Sequence, residues 1–215
     1  MRLSALLFLP VLILASCGGL PPGSGLDAYQ AYDRPAKTAH DPSAVRVEVS
    51  TSRQRAYVME GDEPLLVMPV AVGTPATPTP TGHFRITTKE ERRRSTTEGY
   101  ASSGDLTKKV TRRNVPAGWK FTGRPLPYWC GFGDGCGFHT GWIKHTPCTD
   151  GCIRMHENVA PKFFNLVQVG TPVDVAFYQP EDRLYGNIPL PPDAGPLPDY
   201  DTSVYTSDAY FERHR

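Results

Sequence analysis

Apolar and polar positions alternate cleanly over only part of the chain. Val45, Val47 and Val49 are interleaved with Arg46, Glu48 and Ser50, which predicts a half-buried strand. Arg55–Met59 reads as a second strand, and Gly61-Asp62 as the turn of a hairpin. Leu65 to Val72 is a near-continuous apolar strand, and His83 to Thr87 is another, entered through the rigid turn Thr77-Pro78-Thr79-Pro80-Thr81-Gly82. Residues 88–118 are polar with no apolar period and read as a long surface excursion. Phe121 to Phe138 mixes aromatics with four glycines, so strand and turn alternate there. One segment carries a helical period. Asn158 to Val169 has an apolar face of Val159, Phe163, Leu166 and Val167, with Asn158 as N-cap, Pro161 in the first turn and Gly170 as the stop. Thr171 to Phe177 closes with a strand.

The ends of the chain differ in kind. Met1-Arg2 begins a nearly all-apolar run, Leu3 to Ser16, of about 14 residues. That is short for a membrane span, which takes about 20, and fits the apolar region of a secretory signal. It ends in Leu14-Ala15-Ser16-Cys17 followed by Gly18. This resembles a bacterial lipobox and implies cleavage before Cys17, acylation of that thiol and a membrane anchor. Gly18 in place of Asp favours the outer membrane where two membranes exist. Residues 17–43 read as a lipidated flexible tether, 44–178 as one domain, and 179–215 as a Pro-rich, mostly disordered tail.

Composition narrows the picture further. Gly 20 and Pro 22 favour a β-rich fold with turn-rich connections, and a net charge of +1 gives no footprint for nucleic acid. The run Arg92-Arg93-Arg94 follows Glu90-Glu91 and reads as a solvated face.

The chemistry concentrates in His139-Thr140-Gly141 and Thr149-Asp150-Gly151-Cys152-Ile153-Arg154-Met155. A thiol becomes a nucleophile when a base takes its proton, and an imidazole can return that proton to a leaving amine. Backbone N–H groups near the cysteine can hold the oxyanion, and a glycine before it allows close approach. His139 stands 13 residues before Cys152. Pro127-Tyr128-Trp129 lies upstream, as do Val70-Ala71-Val72-Gly73 and Thr79-Pro80-Thr81-Gly82-His83-Phe84, and Gly170-Thr171-Pro172-Val173 follows.

Together, and in this order, these motifs over about 45–177 resemble the L,D-transpeptidases of the YkuD type, in the branch with a short spacer. The resemblance implies a mainly β fold: a sandwich of mixed sheets with the 158–169 helix packed near the catalytic motif. It implies a cysteine acyltransferase acting on peptidoglycan stem peptides. Cys152 attacks the amide before the terminal D-Ala, a thioester forms, and an amine resolves it into a 3→3 cross-link. His139 is the general base and acid. Thr149 replaces the family's Ser beside the His, and the Gly151 and Cys152 amides lie near the oxyanion. Arg154 holds a substrate carboxylate or makes a structural ion pair, and Trp142 lines the groove or the core. Asp150 replaces the family's second His. Its carboxylate either steadies the imidazolium of His139 or raises the pKa of the thiol.

Water or a protein amine as acceptor gives an L,D-carboxypeptidase or a protein-to-wall transferase with the same thiol. An inactive wall-binding lipoprotein is the reading of another class. No cofactor is called for, and the chain is expected to be monomeric. Cys136, Cys148 and Cys152 with His139 and His145 lack the paired spacing of zinc knuckles, so no metal is expected. Export favours one disulfide among Cys130, Cys136 and Cys148, with Cys130–Cys136 the preferred pairing. Trp119 and Trp129 are expected in the core.

Overall fold

The computed structural model describes residues 25–133, 135–192 and 200–213. The lipobox and Cys17 lie outside them. The elements are α1 (Leu26–Gln30), β1 (Val45–Ser50), β2 (Arg55–Glu60), β3 (Glu63–Ala71), β4 (Gly82–Arg85), β5 (Thr88–Ser103), β6 (Leu106–Thr111), β7 (Lys120–Gly131), β8 (Gly137–Thr140), β9 (Ile153–Met155), α2 (Ala160–Leu166), β10 (Pro172–Ala176), α3 (Glu181–Leu184), α4 (Thr202–Thr206) and α5 (Ala209–Arg213). The strands run in the order β4-β10-β1-β2-β3-β9-β8-β7-β5-β6. The pairings are mixed: β1 with β10 and β8 with β9 are parallel, and the others antiparallel. The mainly β, mixed-sheet class expected from the sequence is the class observed.

One apolar cluster draws on both halves of this order. Val47, Val49, Val58, Met68 and Val173 meet Phe138, Ile153, Met155 and Phe163 in it. Phe163 of α2 lies 4.6 Å from Phe138, so the helix closes the core over β8. The period of two in β1 is realised directly: Val45, Val47 and Val49 are buried, while Arg46 and Glu48 are half-exposed. Gly61 takes φ 56° in the β2–β3 turn, a conformation that costs glycine little.

Four expectations need correction. Residues 88–118 are not a loop: β5 and β6 form a long hairpin closed at Gly104 (φ 56°), polar because both faces are largely wet. The helix is shorter than 158–169. Its cap position is Val159, and the Asn158 side chain donates instead to the Gln30 and Tyr32 carbonyls. The segment before residue 43 is not simply a tether, because α1 buries Tyr29 against the domain. The described part of 179–215 is packed too: α4 and α5 cover β7, and Phe211 is buried.

Candidate active site

Strands β8 and β9 build the site. Their parallel register sets His139 beside Arg154, and Phe138 beside Ile153. Side chains alternate along a strand, so Phe138, Ile153 and Met155 enter the core while His139 and Arg154 share the opposite face. Cys152 immediately precedes β9, two residues before Arg154, and the charges of Arg154 and Arg124 act on its thiol. The sequence motif is thus in part a β-strand pattern: its apolar members anchor the strands, and His139 and Arg154 line one side.

His139 is 4% exposed, and Trp129 stacks on it with 6.3 Å between ring centroids. Its Nδ1 lies 2.7 Å from the Thr140 carbonyl oxygen. A carbonyl only accepts, so Nδ1 carries the proton and Nε2 is left as the basic nitrogen. Burial holds the imidazole pKa down, from 6.5 to about 3, with the cations Arg154 and Arg124 acting in the same direction. The ring is neutral throughout the physiological range.

Cys152 is half-buried. Burial pushes its thiol up; the Gly137 N–H and the charges of Arg124 and Arg154 oppose this, and Asp150 adds to it. Of the two roles left open for Asp150, its charge thus takes the one that works against the thiolate. Asp150 itself is exposed, on the rim of a groove shared with Arg124.

The loop that presents Cys152 is held by the strand end after β3. Cys148 and Thr149 donate their N–H groups to the Val72 carbonyl, Thr74 donates to the Thr149 carbonyl, and the Thr77 hydroxyl donates to that same oxygen at 3.1 Å. Gly73 donates to Thr79 Oγ1 at 2.9 Å, and a Cβ there would sit 2.2 Å from the Thr77 carbonyl oxygen. The Thr-Pro-rich turn and the Val-Gly strand end, far from Cys152 in sequence, are the cradle of its loop.

Within that loop, Thr149 Oγ1 donates to the Cys152 carbonyl at 2.6 Å and accepts from the Gly151 N–H at 3.2 Å. Gly151 has φ 107°, where a side chain would be strained. Two expected roles change accordingly. Thr149 fixes the Cys152 turn, and the Thr140 carbonyl is what orients His139. The Gly151 amide is engaged by Thr149 and is not directed at an oxyanion.

Among the described residues Arg154 has no carboxylate partner; its Nη1 lies 3.9 Å from Cys148 Sγ. Its aliphatic part occupies space that only Gly141 leaves open, since a Cβ on Gly141 would lie 2.8 Å from Arg154 Cδ. Trp142 is half-buried against Tyr29, 4.8 Å between centroids, and lines a groove of 210 Å³ together with His139 and Arg154. Trp129 is buried, whereas Trp119 is half-exposed beneath Lys108 and not in the core. His145 is a loop residue bonded to the Pro191 carbonyl, and His83 pairs with Asp174 on the surface.

The cysteines do not pair as expected. Among the described residues no disulfide joins Cys130, Cys136, Cys148 or Cys152, and Cys130 is buried with its pKa pushed up to about 12, which leaves it inert. Among the described residues no three His, Cys, Asp or Glu side chains converge as metal ligands do.

The sequence reading passed over four residues of this face: Arg124, Tyr205 and Tyr210, which border the groove, and Tyr29, whose hydroxyl accepts the Ile143 N–H at 2.9 Å. The available signal was the recurrence of tyrosine in otherwise polar terminal segments.

Several solved structures are similar to part of the chain. An L,D-transpeptidase from Stackebrandtia nassauensis matches at 23% identity and a TM-score of 0.47, over 67% of this chain and 60% of that one. One from Mycobacterium smegmatis matches at 19% and 0.47, over 62% and 58%. The C442S mutant of an Enterococcus faecium L,D-transpeptidase matches at 23% and 0.46, over 62% and 50%. The chain therefore spans about three fifths or less of the length of these proteins. No curated protein matches it. The profile of the YkuD family, the L,D-transpeptidase catalytic domain, matches residues 44–175, and the chain belongs to that family.

Proposed function

We propose that this protein is a peptidoglycan L,D-transpeptidase whose nucleophile is Cys152. The observation that carries the reading is the shared face of β8 and β9. A neutral His139 stands beside Arg154, which has no carboxylate partner among the described residues, and both line one groove, with Cys152 two residues before Arg154 in the chain. The thiol attacks the carbonyl carbon of the amide between the third stem residue and the terminal D-Ala. Its proton passes to His139 Nε2, and from there to the D-Ala nitrogen as the C–N bond breaks. D-Ala leaves and a thioester remains. An amine from a neighbouring stem then attacks the thioester, His139 takes that amine's proton, and the sulfur leaves with it, giving a 3→3 cross-link. Since both groups start neutral, the thiolate forms as attack proceeds and not beforehand. Arg154 is assigned to a substrate carboxylate.

The test is intact mass and product analysis after incubation with disaccharide-tetrapeptide, beside Cys152→Ala. An acyl adduct on the wild type alone, with D-Ala release and a 3→3 dimer, is the expected result. D-Ala release with tripeptide only would assign a carboxypeptidase. Transfer to a protein lysine would assign a protein-to-wall transferase. No adduct and no product, with the thiol shown to be free, would overturn the enzyme reading in favour of a wall-binding protein. We also propose that Cys17 is lipidated and holds the domain at the periplasmic side of the envelope. Incorporation of labelled palmitate that survives in Cys17→Ala would overturn that.

A further inference from the structure

The C-terminal segment reaches the groove that holds His139. Tyr205 of α4 and Tyr210 of α5 line it together with Arg124, Trp142 and Arg154. The tyrosines form a stack that starts on the sheet: Tyr100 of β5 lies 5.3 Å from Tyr205 at 16° between planes, and Tyr205 lies 5.3 Å from Tyr210 at 29°.

This is fixed packing and not a loose cover. Arg94 donates to the Tyr205 carbonyl at 2.8 Å and the Ser207 carbonyl at 2.6 Å, and its guanidinium lies over the buried Phe211 ring at 5.0 Å. Arg92 pairs with Glu212. The basic run that reads as a solvated face in sequence is thus partly the anchor of the C-terminal helices.

The groove is also cationic: Lys109, Arg124 and Arg154 line it. Arg124 reaches a single carboxylate among the described residues, Glu98 at 3.3 Å, and its buried Nε has no partner. Arg154 has no carboxylate partner among them. A groove lined by both a tyrosine stack and two arginines selects a ligand that offers apolar atoms and a free carboxylate.

We propose, on the peptidoglycan reading above, that α4 and α5 form the specificity-determining wall of the acyl-donor groove. Tyr205 and Tyr210 pack against the stem peptide while Arg124, with Arg154, holds one of its carboxylates. The residues act on binding and leave the thiol chemistry to Cys152 and His139.

Affinity isolates this from turnover. In the Cys152→Ala background, calorimetric titration with disaccharide-tetrapeptide is expected to show Tyr205→Ala and Tyr210→Ala each raising Kd about tenfold. Tyr205→Phe and Tyr210→Phe, which keep the rings, stay within about twofold of the parent. Arg124→Ala raises Kd for the free-acid ligand about tenfold, and not for the same ligand with its carboxylates amidated. Unchanged Kd in the Ala variants would overturn the proposal, and so would tighter binding, the mark of a lid. With Cys152 intact, acylation by imipenem, a compact reagent, reports folding. Loss of acylation in the Phe variants as well would assign the tyrosines a purely structural role and overturn the proposal. If the wild type releases no D-Ala while the Kd pattern holds, the transpeptidase reading fails and the binding wall stands.

Discussion

His139 and Cys152 are both kept neutral by removal from water, which raises a thiol pKa and lowers that of an imidazole. The two shifts oppose a preformed thiolate–imidazolium pair. Alkylation of Cys152 by iodoacetamide should therefore stay slow at pH 7 and rise only above the ordinary thiol range, about 8.5. A midpoint below pH 7 would show an ion pair and contradict this. Asp150 contributes the smallest of the causes acting on the thiol. Asp150→Asn should thus speed alkylation at pH 7 by about two- to threefold, a modest effect for an exposed charge. The imidazole has a stability signature of its own. The unfolded chain binds a proton on His139 below pH 6.5, and the folded chain does not until about pH 3. Stability is therefore full above pH 6.5 and is lost as pH falls toward 3. The lowered pKa of buried His156 has the same sign. In urea titrations at pH 7 and pH 5, His139→Asn should lose about 2 kcal/mol less than the wild type between the two conditions. Equal losses would mean that His139 is protonated in the folded protein.

At the scale of elements, the Cys152 turn depends on one hydroxyl that serves two backbone groups. Thr149 is 2% exposed, and its Oγ1 joins the Gly151 N–H to the Cys152 carbonyl. Thr149→Val keeps the volume and strands both partners. It is expected to cost about 2 kcal/mol in thermal unfolding and to lower kcat, while Thr149→Ser keeps both. A Val variant as active as wild type would remove Thr149 from the positioning of Cys152. The same scale shows why some of the fold was legible and some not. The strands β1, β2 and β3 bury one face or both, so valine and leucine spacing reveals them. The face shared by His139 and Arg154 was legible for the same reason, since Phe138, Ile153 and Met155 must point inward. The β5–β6 hairpin has little buried face to declare itself. Strand β5 is held by backbone pairing along β7 and β6 by pairing along β5, with Arg93 and Arg94 lying over Trp129 and Phe211. Polar residues that pair by backbone look like loop in a hydropathy pattern. The engagement of Gly151 by Thr149 was equally hidden, because a motif gives residue types and not the direction of an N–H.

At the scale of the whole molecule, both terminal segments converge on the His139–Trp142 stretch and complete it. Tyr29 and Tyr210 flank Trp142 at one small pocket. On the N-terminal side the attachment is extensive. Tyr29 is 2% exposed, with its ring 4.6 Å from that of His156. The Tyr29 carbonyl lies 2.8 Å from His156 Nε2, and Lys162 pairs with Asp33 at 2.6 Å. Compositional reading treats such a segment as a tether because one buried aromatic in a polar stretch sets no period. The packing predicts otherwise. Tyr29→Ala removes the ring and should cost about 3–5 kcal/mol, read as a lowered Tm and as altered Trp142 fluorescence. Tyr29→Phe keeps the ring and leaves the buried Ile143 N–H without its acceptor, so its cost should be smaller, about 1–3 kcal/mol. A chain beginning at Pro35 should lose at least as much as the Ala variant. Were residues 26–34 only a spacer to the membrane, all three changes would leave Tm at the wild-type value. The graded order, Phe above Ala and Ala at or above truncation, distinguishes a ring packed into the site wall from a segment that merely spans a distance.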